Sequence, residues 1–272
     1  MDELEQLVSE VLRSPKYRTV STDLVANVGA RELAARGSLR EAIKATKNKL
    51  HQVGGAYFAA AMRYREWLAA LDEAAHAADR TAWLQACAHV LEQQSSTRER
   101  LGILDQFYET ALAGLPPGGR VLDIACGLNP VAIPWMRLPE DVEYLAYDIY
   151  GDMVEFLQQF LHIAGVRGQA ELRDVLQTPP DHCADVALVL KSLPCLEQLD
   201  RTAGARLIEV LRAKYVVVSF PVRSLGGRSK RMSQNYEEHF WELLRGKPWP
   251  VQRFQFATEL VFVIQKTTGF SL

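Results

Sequence analysis

The chain has 272 residues, 48% hydrophobic and 24% charged, with a formal net charge of −2. Those figures exclude a disordered chain and a generally basic nucleic-acid coat protein, while leaving room for local basic patches. No apolar run approaches the roughly 20 residues that cross a bilayer, and the acidic start MDELEQLVSEVLR is unlike a secretory leader, so a cytoplasmic protein is expected.

Leu4, Leu7, Val8 and Val11 recur at helical spacing over residues 2–13, and Ser14-Pro15 stops that helix because the residue before proline is pushed out of the α region. A second helix is predicted from Thr22 to Ala35. A third, from Ser38 to Val53, opens on Ser38 three residues before Glu41, a capping-box pattern. Arg36, Arg40, Lys44 and Lys47 fall at near i, i+4 spacing along it. Like charges so placed repel, so the stripe reads either as a solvated face or as one that meets phosphates.

A helical hairpin is predicted over residues 65–93, with Trp67, Leu71, Trp83 and Val90 among its core residues. In SSTRERLGILDQFYETAL, residues 95–112, a hydroxyl residue caps a helix that carries Arg98 and Arg100 in its first turn. The helix dipole disfavours cations there, which suggests a task such as gripping a carboxylate. Two domains are expected, a helical one over residues 1–94 and a second over 95–272, with LPPGG (115–119) as the hinge into the first strand.

That strand begins RVLDIACGLNP, residues 120–130. A short buried run ends in the small residues Ala125, Cys126 and Gly127, and Pro130 stands where a helix can start. Such a turn lets a ligand approach the backbone, and ligands of open α/β sheets sit beyond the carboxyl ends of the strands. The G-x-G-x-x-G of dinucleotide binders is missing, which leaves S-adenosylmethionine (SAM), a cofactor without a pyrophosphate. Asp148, ending the next apolar run, is placed to accept the ribose hydroxyls, and Asp174, ending the one after, to meet the adenine amino group. The competing reading makes these acids turn and cap residues only.

Strands are predicted at 120–125, 142–149, 169–174, 184–191, 214–220 and 259–266, with another near 252–257. Helices at about 130–138, 151–164 and 199–213 separate them, so the sheet is mostly parallel. The last two strands follow each other directly and should pair antiparallel. This α/β, Rossmann-like sheet fits SAM-dependent methyltransferases better than dehydrogenases. Lys191 emerges from the buried run ALVL, where the methyl group and its acceptor would lie. The segment SFPVRSLGGRSKRM reads as a basic, glycine-containing loop carrying Arg223, Arg228, Lys230 and Arg231, which suits a polyanionic substrate. The four cysteines form no C-x-x-C pair, so neither a metal site nor a disulfide framework is expected.

The segments SSTRERL (95–101), RVLDIACGLNP (120–130), the Asp174-Val175 pair, LKSLPCLE (190–197) and SFPVRSLGGRSKRM (219–232) together resemble the aminoglycoside-resistance methyltransferases that modify guanine N7 in the decoding site of 16S rRNA. The helical N-terminal third is similar to that family's rRNA-docking domain, notably at LHQVGGAYF (50–58). The resemblance implies SAM contacts at Tyr57, Ser95, Ser96, Arg100, Ala125, Gly127, Asp148, Asp174, Val175, Leu190 and Gln198, with Arg100 on the methionine carboxylate. It implies that Lys191 and Arg228 act at the target nucleotide. It also implies a 30S ribosomal subunit as partner, with monomer as the default state. Gln94 stands where several relatives carry His, and Arg231 where a Gly is frequent.

Guanine N7 carries a free lone pair, so orientation rather than a general base would drive the reaction. The target base must leave its stack, and Trp135, Tyr108 and Tyr150 are candidate walls. Two rivals are a small-molecule methyltransferase and a non-catalytic RNA-binding protein on the same fold; a dehydrogenase is a more distant third.

Overall fold

The computed structural model describes residues 2–55, 62–222 and 230–266, the side chains of Lys230 and Arg231 excepted. Three N-terminal helices, α1 (Glu3–Leu12), α2 (Thr22–Ala35) and α3 (Leu39–Leu50), form a small unit. Asp2 and Glu5 close a capping box on α1, and Ser38 accepts from the Glu41 N–H at 3.3 Å on α3. Leu7, Val11, Val25, Val28, Ala42 and Leu50 make its core, which is separate from the rest.

The hairpin of α4 (Tyr64–His76) and α5 (Arg80–Leu91), expected with the N-terminal domain, does not join that core. Its Trp67 and Trp83 pack on Phe156 and Phe160 of α9 (Gly151–Ile163), part of the sheet's own hydrophobic core. Helices α6 (Ser95–Arg100) and α7 (Leu104–Ala111) follow.

The sheet has seven strands: β1 (Arg120–Ile124), β2 (Glu143–Asp148), β3 (Gly168–Leu172), β4 (Ala184–Leu190), β5 (Ala213–Pro221), β6 (Val251–Gln255) and β7 (Glu259–Gln265). Their order is β3-β2-β1-β4-β5-β7-β6, with the first five parallel and β7 antiparallel to both neighbours. Strands buried on both faces alternate between two cores. Val186, Leu188 and Leu190 of β4 face α4, α5, α7 and α9, while Ala187 and Val189 face the opposite layer. That layer holds α10 (Leu193–Leu199), α11 (Ala203–Val210) and α12 (Lys230–Leu243); α8 (Ile133–Met136) is a single turn after β1.

Two expectations change. The helix predicted over 199–213 is shorter, α11 (Ala203–Val210), and is preceded by an unpredicted helix, α10. The two are parted where Asp200 is extended (φ −150°) and its carboxylate accepts from the Thr202 N–H and hydroxyl, local bonds that compete with helix continuation. The segment read as a basic loop becomes helix from Lys230 onward, so Lys230 and Arg231 belong to the first turn of α12. Its apolar side, with Tyr236 and Phe240, packs on the sheet, a helical spacing hidden by the preceding glycines and charges.

Candidate active site

The turn after β1 is strained where a ligand would come close. Ala125 and Gly127 both have left-handed backbones, at φ +50° and +53°. A Cβ on Gly127 would run into the Gln94 amide, which sits over the turn and accepts from the Leu128 N–H at 2.8 Å. Behind the turn, Asp123 accepts from Asn129 Nδ2 at 2.9 Å and the Tyr144 hydroxyl at 2.7 Å. Burial pushes its pKa up to about 6, and it braces the turn rather than facing a ligand.

Beyond the carboxyl ends of the strands lies a cavity of about 400 Å³, within the range of roughly 300–1,000 Å³ usual for small-molecule sites. Asp148 lines it at the end of β2, with Oδ2 accepting from the Gly127 N–H at 2.8 Å and Oδ1 from the Ile149 N–H at 2.7 Å. Burial raises its pKa to about 6 against the pull of those N–H groups. Asp174 follows β3 and accepts from the Leu176 N–H at 3.0 Å. Its Oδ2 is buried with no hydrogen bond of normal geometry. Burial raises its pKa, and the nearby Asn27 amide and Arg31 guanidinium offset only part of that.

An orphaned buried acceptor at one strand end, a carboxylate at the next, and an open glycine turn between them and the roof fit an adenosyl group with its hydroxyls and amino group. Ser95, Ser96, Ala125, Gly127, Val175 and Leu190, all expected at the cofactor, line the same cavity.

Lys191, directly after β4, has a left-handed backbone at φ +54°. Its N–H donates to the Ser219 carbonyl at 3.0 Å, which holds the turn open. Its side chain is 6% exposed and borders the cavity. Nζ donates to Glu99 Oε2 at 2.8 Å and to the Ser96 carbonyl at 3.2 Å, and lies 3.3 Å from Glu259 Oε1. Thus Lys191 ties the roof helix α6 to the edge of the sheet.

Arg100, expected on the methionine carboxylate, is held here by protein groups. It is 1% exposed and lies behind the cavity wall, with Nε and Nη2 on the two Glu259 oxygens at 2.7 and 3.1 Å. Nη1 meets Asn129 Oδ1 at 2.7 Å, and the guanidinium lies 4.5 Å above the Phe107 ring. Burial alone would raise the Glu259 carboxyl, yet Arg100 and Lys191 outweigh that and hold it below the ordinary glutamate value. Sequence reasoning missed Glu259 because its partner is 159 residues away.

Gln198 is exposed and does not line the cavity; its carbonyl accepts from Lys49 Nζ at 3.0 Å. Tyr57, Arg223 and Arg228 lie outside the described residues, as do the side chains of Lys230 and Arg231. On the N-terminal unit, Arg36, Arg40 and Lys44 are exposed and Lys47 is half-buried, with Arg36 paired to Glu32 at 3.1 Å. That unit also supplies wall: Leu24, Val53 and Gly54 line the cavity. Among the described residues no cluster of side chains suits a metal ion, and no helix is long and apolar enough to cross a membrane.

Compared with known proteins, the chain matches the family described as ribosomal RNA methyltransferase (FmrO) over residues 13–263. It is 37% identical over 267 residues to a 16S rRNA (guanine(1405)-N(7))-methyltransferase of Micromonospora rosea, covering 97% of each chain. It is 32% identical over 263 residues to a protein of the same name from Serratia marcescens, covering 97% of this chain and 98% of that one. Among solved structures it is similar to the 16S rRNA methyltransferase RmtF in complex with S-adenosyl-L-homocysteine. There the TM-score is 0.85 at 33% identity, over 98% of this chain and 100% of the other. The cavity, the acids at its rim and the match along nearly the whole chain agree, and the chain belongs to the ribosomal RNA methyltransferase (FmrO) family of SAM-dependent enzymes.

Proposed function

We propose that this enzyme methylates N7 of guanine 1405 in 16S rRNA, as the names of its relatives from Micromonospora rosea and Serratia marcescens state for those proteins. The observation that carries the reading is one cavity shared by Asp148, Asp174 and Lys191. When bound, SAM supplies an electrophilic methyl group. Guanine N7 brings its own lone pair, so no residue of the chain has to remove a proton. The work left to the protein is holding and orienting.

Asp148 would accept the ribose hydroxyls and Asp174 Oδ2 the adenine amino group. Ser95 and Ser96 of the roof, with Ala125, Gly127, Val175 and Leu190, would enclose the rest. Lys191, its charge balanced by Glu99 and Glu259, would fix the roof over the acceptor end, and Arg228 would act beside it at the target nucleotide. Tyr57 and Gln198 stay in the proposed cofactor set on resemblance alone. Arg100 reaches a methionine carboxylate only by giving up part of its grip on Glu259.

The acceptor is proposed to be presented by the assembled small subunit, engaged by one copy of the enzyme. The docking unit is taken as the three helices over residues 2–50, with Arg36, Arg40, Lys44 and Lys47 toward phosphates and Arg223, Lys230 and Arg231 closer to the target. The α4–α5 hairpin is assigned to the catalytic body because it packs on α9.

The test is methyl transfer from labelled SAM to intact small subunits, naked 16S rRNA and a pool of small metabolites, with chain cleavage at 7-methylguanine to map the product. A single cut at position 1405 with intact subunits is the expected result. Label in metabolites without label in RNA would transfer the site to a small-molecule acceptor.

A further inference from the structure

The cavity runs along the carboxyl edge of the sheet, and its two ends differ in chemistry. The β2–β3 end carries Asp148 and Asp174, suited to a nucleoside. The β4–β5 end is bordered by Lys191, Cys195 and Pro221 and closed by Met232 and Tyr236 of α12. Met232 and Tyr236 are four residues apart and so share one face of the helix. The acceptor base must enter at this second end, since the first belongs to the cofactor.

Of the aromatics expected as walls, Tyr108 is fully buried, with its hydroxyl on Asn129 Oδ1 at 2.6 Å. Trp135 packs against the core and does not border the cavity. Tyr150 does border it, but at the Asp148 end. Among the described residues, Tyr236 is the aromatic at the acceptor end.

Its setting is that of a fixed plate. One face of the Tyr236 ring stacks on Phe220, with centroids 5.0 Å apart and planes 20° from parallel. Phe220 is fully buried and meets Phe240 and Phe262 edge-on, and those two stack at 3.8 Å. A hydrogen-bond contact and an ion pair flank it along α12: His239 Nε2 lies 2.7 Å from Glu197 Oε2 of α10, and Arg253 of β6 grips Glu237 at 2.7 and 3.1 Å. A ring braced on one face and half-buried at a cavity wall has little freedom left to lose when a second ring stacks on it.

We propose that Tyr236 is the platform on which the target nucleobase stacks after leaving the RNA helix. This rests on the reading of the acceptor as a ribosomal guanine. Stacking of a base on an aromatic side chain is worth roughly 5- to 140-fold in an equilibrium or rate.

The test compares Tyr236→Phe and Tyr236→Leu with the wild type on intact small subunits. Single-turnover methylation, subunit affinity and S-adenosyl-L-homocysteine affinity are read for each. The phenylalanine variant should stay within about 2-fold of the wild type, because it keeps the ring. The leucine variant should lose about 10-fold or more in methylation rate while its subunit and S-adenosyl-L-homocysteine affinities stay within about 2-fold, since phosphates and the distant acids carry those. A leucine variant that methylates at the wild-type rate overturns the proposal, and so does one whose affinity for S-adenosyl-L-homocysteine falls in parallel. A wild type that leaves ribosomal RNA unmethylated defeats the acceptor assignment instead, which separates the two failures.

Discussion

At the scale of single residues, the most constrained group is one that never reaches the cavity. Glu259 is fully buried and carries the counter-charge for two cations, Arg100 and Lys191. Removing one member of a buried ion pair strands its partner at a cost of roughly 3–5 kcal/mol. Glu259→Ala is therefore expected to lower the unfolding free energy by about that much, read by urea titration with the slope unchanged.

Asp148 gives a pH dependence with two opposite signs. Its folded-state pKa is raised to about 6, against roughly 4 for an unfolded aspartate. The fold thus favours the protonated form. This group's contribution to stability is fully present below about pH 4 and is lost as pH rises through about 6. For the proposed ribose contact of Asp148, cofactor affinity runs the other way, because only the carboxylate keeps its full acceptor capacity. S-adenosyl-L-homocysteine affinity is expected to weaken as pH falls through about 6, with Asp148→Asn weak throughout and lacking that step.

At the scale of elements, the turn after β1 stores the strain on which the site depends. Gly127→Ala puts a side chain at φ +53°, costing about 1–2 kcal/mol. The new methyl also displaces Gln94 from the Leu128 N–H. A loss of about 10-fold in S-adenosyl-L-homocysteine affinity with a folded protein is expected by calorimetry.

The strands were legible because burial on both faces writes continuous apolar runs such as ALVL, and the adjacency of β6 and β7 dictated their antiparallel pairing. Asp148 and Lys191 were legible as polar residues closing such runs, and Asp174 as the acid after the shorter, half-exposed β3. The α4–α5 hairpin read correctly as helices, but which core it serves depends on its packing against Phe156 and Phe160 of α9, which periodicity does not reveal. The break at Asp200 turned on its carboxylate's two bonds to Thr202. Helix α12 was obscured because its polar face and preceding glycines resemble a loop, and with it went Tyr236. Arg100 was rightly singled out as an ill-placed cation, but its partner came from the far end of the chain.

At the scale of the whole molecule, the N-terminal helices are stitched to the body beside Asp148. The Ser21 N–H donates to the Ile149 carbonyl at 2.8 Å and the Gly151 N–H to the Thr19 carbonyl at 2.7 Å, flanking Asp148. Arg31 and Lys49 of the same unit donate to the carbonyls of Leu199 and Gln198, at the end of α10, at 2.9 and 3.0 Å. The unit that carries the basic stripe is thus also a side of the cavity. Any free energy that two ligands sharing a wall exchange through it is exchanged symmetrically. For the proposed small-subunit partner, whatever factor it applies to S-adenosyl-L-homocysteine affinity, the small molecule must return to subunit affinity. That factor is expected to differ from one, and to shrink toward one in an Arg31→Ala, Lys49→Ala double variant, as read by the two titrations in each order. Recognition of the ribosome and retention of the cofactor would then be a single thermodynamic quantity measured from two ends.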